Sequence, residues 1–422
     1  MTFKKDFLYW NFNIKEWITL LSSMAMMLGF LYSRALLSIG MIALFVIALD
    51  PRVFKENWHR WKNNRFAVLC FLFFAAYLLS GLWSENLDRW QDSIQTKLPF
   101  LVLPFAMLSA PFGEKKLQRY IIYSVLIALL SGILYSSSFL LTHPQYLTNG
   151  AHLPSPAKRD YIRFTIAIVL GLQFVFYLFI KQKEFFLKKT EKILLITWSV
   201  FAVIYLHIEA AKSGLLCLYL LIGIYLLFKC YKRYGITKII LAMIIALAGL
   251  FIAAATFPAL KRQWHRLKME KAIWESENTS RYNKVSSIVP RLVSFQAAFV
   301  VIKKHPFYGV GAGDLMQEMD KVYQSDFPFM RTTLVPHNQL LCTAVILGIP
   351  LTLILILMLL APLRKRSDIY TISTFLIMVC GVSIGPIFEV QFGVFVYLFF
   401  TLFWMMAPGL KTTSTAASSV LR

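Results

Sequence analysis

One histidine and two arginines hold most of the chemistry legible in this chain. His337 follows Pro336 where a long apolar stretch begins. An imidazole titrates near neutrality, so it can take a proton from a hydroxyl. Arg291 offers a fixed guanidinium fork, which suits two phosphate oxygens better than a lysine does. Arg163 stands just ahead of Phe164 and Thr165 at the entrance to another apolar stretch. Two such cations together could face the oxygens of a phosphorylated ligand. Each residue also has a plainer reading. His337 could merely hydrogen-bond a loop, Arg291 could be a surface residue in a helix's first turn, and Arg163 could snorkel at an interface.

Other residues invite the same question. Gly309, Gly311 and Gly313, with Asp314, could bring backbone amides to phosphate, or could simply make a tight turn. Glu85, Asp88 and Asp92 read as a solvated helix face. Glu389 could pair with an arginine or bind sugar, and its spacing does not choose. His143 and His152 could line the same cleft. The five cysteines stand singly in or beside apolar stretches, as packing residues do.

The elements that must position these groups are membrane helices. Hydrophobic residues make up 58% of the 422 and charged ones 15%, where soluble domains run at about 45–50% and about 25%. Soluble enzyme and DNA-binding readings therefore start badly, and the formal charge of +23 points to loops beside lipid rather than to nucleic acid. Apolar runs of bilayer length predict an all-α polytopic membrane protein with about twelve helices, ten to twelve allowing for two short ones. The ninth lies near Ile239 to Thr256, and the first is read as an uncleaved anchor. With a cytoplasmic N-terminus, cytoplasmic segments hold 25 Lys and Arg and the short outer loops seven, as the positive-inside rule requires. One long outer segment, about Phe257 to His337, holds the remaining 12 basic residues against seven acidic ones. Within it Lys261 to Glu277 reads as a surface amphipathic helix, and Arg291 to Lys304 as a second helix stopped by His305-Pro306. The expected organisation is a transmembrane bundle over 1–256, a periplasmic helical loop over 257–337, C-terminal transmembrane helices over 338–410 and a cytoplasmic tail over 411–422.

The stretch PRLVSFQAAFVVIKKHPFYGVGAGD from Pro290, followed by PHNQLLCTAVILGIP from Pro336, resembles the signature of the O-antigen ligase and O-antigen polymerase-like superfamily. The likeness is close over some sixty residues and extends to the whole chain in layout. It implies glycan transfer on the periplasmic side of the bacterial inner membrane, from an undecaprenyl-diphosphate-linked donor to lipid A-core or another glycan, among membrane lipids and with no metal or cofactor. It further implies that Arg291 and Arg163 meet the diphosphate, that His337 lies near the acceptor hydroxyl and that His305 belongs to the turn. Many relatives carry Ser-Arg where this chain has Ser213-Gly214, so Lys212 is left as the substitute third cation. Ligase is the leading expectation and polymerase the next. A transporter of lipid-linked sugars fits less well, because no paired halves and almost no mid-span charges are visible.

Overall fold

A computed structural model describes residues 12–144, 146, 152–156, 160–229, 237, 289–366 and 368–407. All regular structure among them is helical. In chain order the helices are α1 (Ile14–Tyr32), α2 (Arg34–Ala48), α3 (Phe54–Lys62), α4 (Arg65–Leu79), α5 (Leu87–Lys97), α6 (Pro99–Ser109), α7 (Lys115–Thr142) and α8 (Tyr161–Ile180). They continue with α9 (Lys189–Glu209) and α10 (Lys212–Lys229). After the undescribed stretch come α11 (Val289–Lys304), α12 (Leu315–Asp326), α13 (Gln339–Lys365), α14 (Ile369–Ile384) and α15 (Gln391–Met406).

Seven described helices are long and apolar enough to cross a membrane: α1, α4 with its 3-10 extension to Leu82, α7, α8, α9, α10 and α13. The shorter apolar helices α2, α14 and α15 fall where further spans are expected, and α6 covers most of Leu98 to Ala110. The expected span at Ile239 to Thr256 and the amphipathic helix at Lys261 to Glu277 lie outside the described residues. α11 ends at Lys304, directly before His305-Pro306, as the sequence predicts.

Apolar side chains gain little from leaving lipid for one another, so the bundle relies on close packing and interhelical hydrogen bonds. Aromatic rings fill its centre: Tyr370 stacks on Trp404 at 4.8 Å, and Phe174 packs between Phe400 and Phe403. Buried Gln173 on α8 donates to the Tyr370 carbonyl at 2.7 Å and accepts from Thr374 at 3.1 Å, tying α8 to α14.

α13 is broken. Gly348 has φ +78°, and Pro350 follows two residues later. In an unbroken helix the carbonyls of Val345 and Ile346 would accept from residues 349 and 350, but Pro350 has no N–H and the break turns Ile349 away. The chain after α11 fills both vacancies: Val310 donates to Val345 at 2.9 Å and Gly311 to Ile346 at 2.9 Å. Ile349 in return donates to the Pro306 carbonyl at 2.9 Å. The turn after His305 and the Leu-Gly-Ile-Pro break are therefore two halves of one backbone joint. Gly309, at φ +66°, lies against the Ile346 carbonyl, and a Cβ there would have no room.

Candidate functional site

The site assembles where α11 begins and α13 begins. Arg291 lies in the first turn of α11, half-buried. The buried hydroxyl of Ser294 donates to the Arg291 carbonyl at 2.7 Å and accepts from the His337 amide at 3.2 Å. One hydroxyl thus fixes both residues side by side. Burial, and then the adjacent Arg291 cation, hold the His337 imidazole below the ordinary histidine range. An uncharged imidazole next to a guanidinium can meet a hydroxyl while the cation faces an anion.

The residues after His337 divide the work of holding it. Asn338 caps α13, accepting from Leu341 at 3.1 Å, and donates to the Ser383 carbonyl at 3.3 Å. Buried Gln339 accepts from the Phe388 amide at 2.7 Å and donates to Glu389 at 2.9 Å. Glu389 pairs at 2.7 Å with Lys97, whose side chain is fully buried, and Tyr77 donates to the same carboxylate at 3.2 Å. The sequence left Glu389 between an arginine partner and a sugar; its partner is a lysine 292 positions away. The carboxylate also borders a cavity of about 690 Å³ together with Arg34, Gln95, Thr96 and Gln391.

Arg163 is held by protein on three nitrogens. It pairs with Asp160 at 2.7 Å and donates to the carbonyls of Pro386 at 2.9 Å and Ile387 at 3.3 Å. Its guanidinium therefore clamps the start of α8 to the segment before α15, and only its remaining N–H groups are left for an anion. Lys212 is exposed at the start of α10. Gly214 packs against Thr165, two residues beyond Arg163; a Cβ at 214 would come within 2.6 Å of that threonine, so a larger residue there requires Thr165 to move.

The glycine turn is closed as an anion cradle. Gly309 donates to His305 at 3.2 Å and Gly311 to Ile346, while Ala312 donates to Ser80 and Gly313 to Ser84, both at 3.2 Å. Asp314 accepts from the amides of Glu85 and Asn86 at 2.7 and 2.9 Å. Of the two readings of Gly309, Gly311 and Gly313, this geometry supports the tight turn, because their amides are already spent on the protein. Glu85, Asp88 and Asp92 are exposed, as a solvated face should be.

Sequence reasoning missed two groupings. The Lys97–Glu389 pair is one. The other joins His152 to Glu209 at 2.9 Å, with the His152 ring stacked on Tyr161 at 3.7 Å between centroids. Arg291 acts electrostatically on both Tyr161, which stacks on His152, and His337. The signal was present: Glu209 is an acid at the end of an apolar helix, where an unpaired charge is costly.

Comparison with known proteins places these elements in context. Residues 197–357 match the family model described as O-antigen ligase. The match runs from within α9 to within α13 and contains Lys212, Arg291, the glycine turn and His337, whereas Arg163, Lys97 and Glu389 lie outside it. It supports an O-antigen ligase-like family for this chain. A search of curated proteins found no match.

Proposed function

We propose that this O-antigen ligase-like membrane protein is a glycosyltransferase that moves a glycan from undecaprenyl diphosphate to lipid A-core at the periplasmic face of the bacterial inner membrane. The observation that supports it most directly is the Ser294 hydroxyl, which holds Arg291 and His337 together inside the matched segment. In this reading the chain crosses the membrane about twelve times, with residues 257–337 on the outer side and 411–422 inside.

The chemistry follows from charge. Departure of the lipid diphosphate leaves a polyanion, and a guanidinium placed beforehand stabilises that charge most as it develops. Arg291 takes this role, with the free N–H groups of Arg163 and the ammonium of Lys212 as further contacts. His337, uncharged beside Arg291, meets the acceptor sugar as its hydroxyl oxygen attacks the anomeric carbon. A single displacement inverts that carbon, and no metal is required.

A glycan profile of cells lacking the gene, complemented with wild type or with His337→Ala at equal membrane expression, tests the reading. Polymerised glycan that stays on the carrier while lipid A-core remains bare is the expected result in the deletion and in His337→Ala. Single repeats on the acceptor would instead identify a polymerase, and a normal profile from His337→Ala would remove that residue from the site.

A further inference from the structure

Glu209 closes α9, and Ala210, with the left-handed φ of 52°, turns the chain toward α10. That turn leaves the Glu209 carboxylate inside the protein, with 0% of its side chain exposed against 39% for His152. Oε2 accepts from the Leu153 amide at 2.8 Å. Oε1 lies 2.9 Å from His152 Nδ1, and the Glu209 carbonyl lies 3.3 Å from the same nitrogen. With Glu209 as a carboxylate both neighbours of Nδ1 accept, which selects the tautomer that donates from Nδ1 and carries its lone pair on Nε2. Among the described residues Nε2 has no hydrogen-bond partner. The ring is fixed in plane by Tyr161, stacked at an interplanar angle of 17°.

A base becomes a cation when it has done its work. His337 has a guanidinium for its charged neighbour, whereas His152 has a carboxylate. The charged and titratable groups around His152 are Glu209 from α9 and Tyr161 from α8, with Asp160 and Arg291 acting on Tyr161 from farther out. A buried carboxylate that fixes the tautomer of a histidine and then faces its imidazolium is the arrangement that proton abstraction from a hydroxyl calls for.

We propose that His152 is a catalytic residue of the transfer, receiving the acceptor hydroxyl's proton on Nε2, with Glu209 as its positioning residue and His337 as the group that orients the acceptor. This rests on the glycosyl-transfer reading. The acceptor oxygen forms the new bond to the anomeric carbon. The anomeric C–O bond to phosphate breaks with its electron pair going to the diphosphate, opposite Arg291. The hydroxyl proton moves to Nε2, Nδ1–H stays on Glu209, and the exposed edge of the ring returns the proton to water.

The test uses the purified full-length protein with an undecaprenyl-diphosphate-linked oligosaccharide and lipid A-core. His152→Ala is expected to lower kcat by about 10²- to 10⁴-fold with little change in the acceptor KM, and added imidazoles of graded basicity should restore turnover in proportion to that basicity. His152→Asn keeps a donor toward Glu209 and removes Nε2, so it should be as slow as His152→Ala. Glu209→Gln should lose about 10- to 100-fold; if it does not fold, His152→Asn decides alone. Wild-type turnover in His152→Asn, or a rescue indifferent to basicity, overturns the dyad while product formation by wild type and its loss in Arg291→Ala keep the transfer reading intact. A wild-type protein that makes no product overturns both.

Discussion

His337 is the residue whose surroundings say most about its state. Its imidazole is held below the ordinary value of about 6.5, first by burial and second by Arg291. The folded protein therefore resists protonating it, and the unfolded chain takes that proton first as pH falls. Its neutral form adds stability that is complete above the ordinary value and is lost as pH falls through the lowered one. Reaction of His337 with diethyl pyrocarbonate, followed by peptide mass mapping between about pH 5 and 8, should show an acid limb below the ordinary value. Arg291→Gln removes the second cause and leaves burial, so the limb should move part of the way upward. An unmoved limb would mean that the two side chains do not sense one another. Arg163 is a different kind of residue: most of its donors serve Pro386, Ile387 and Asp160, so its loss should disturb the α8–α15 junction as well as any bound phosphate.

At the scale of elements, the joint between the glycine turn and the broken α13 organises the site. α11 reaches from Arg291 to the turn, the turn is paired to Val345 and Ile346, and the half of α13 before the break runs back to Gln339 and His337. Gly348 is the pivot, because its φ of +78° is strained for any other residue and a Cβ would fall on the Phe307 carbonyl. Gly348→Ala should destabilise the protein by about 1–3 kcal/mol and lower transfer with it. Gly385, with extended φ and open space around it, is the control, and Gly385→Ala should be nearly neutral. Thermal unfolding in one detergent compares the two; equal midpoints would show that the joint is not under this constraint.

Across the whole molecule, the Lys97–Glu389 pair ties the end of α5 to the residues before α15 and, through Gln339, to the entrance of α13. A fully buried ammonium needs its anion, and removing one partner of such a pair typically costs about 3–5 kcal/mol. Lys97→Met should therefore be severely destabilised by the carboxylate it strands, and adding Glu389→Gln should recover a large part of the loss. A double variant no more stable than Lys97→Met would show that the pair is not energetically coupled. The network also explains how residues 386–389 can serve two sides of the site at once: their carbonyls hold Arg163, while the Phe388 amide and Glu389 hold Gln339.

The sequence by itself determined that the chain is a helical membrane protein, where most of its apolar helices run, that α11 stops before His305-Pro306, and which residues bear the family's signature. These are local matters: an apolar run in lipid must satisfy its own backbone, and proline and glycine act on the residues next to them. The role of the glycine turn was open in the sequence because its partners, Ser80, Ser84 and Ile346, are distant in the chain. Only the tertiary structure decided that Ser294 joins Arg291 to His337, that Arg163 is largely occupied, that Glu389 answers Lys97, and that Glu209 orients His152. Each of these pairs spans a contact between separate elements, and the geometry of such a contact depends on how whole helices pack rather than on the spacing of any one of them.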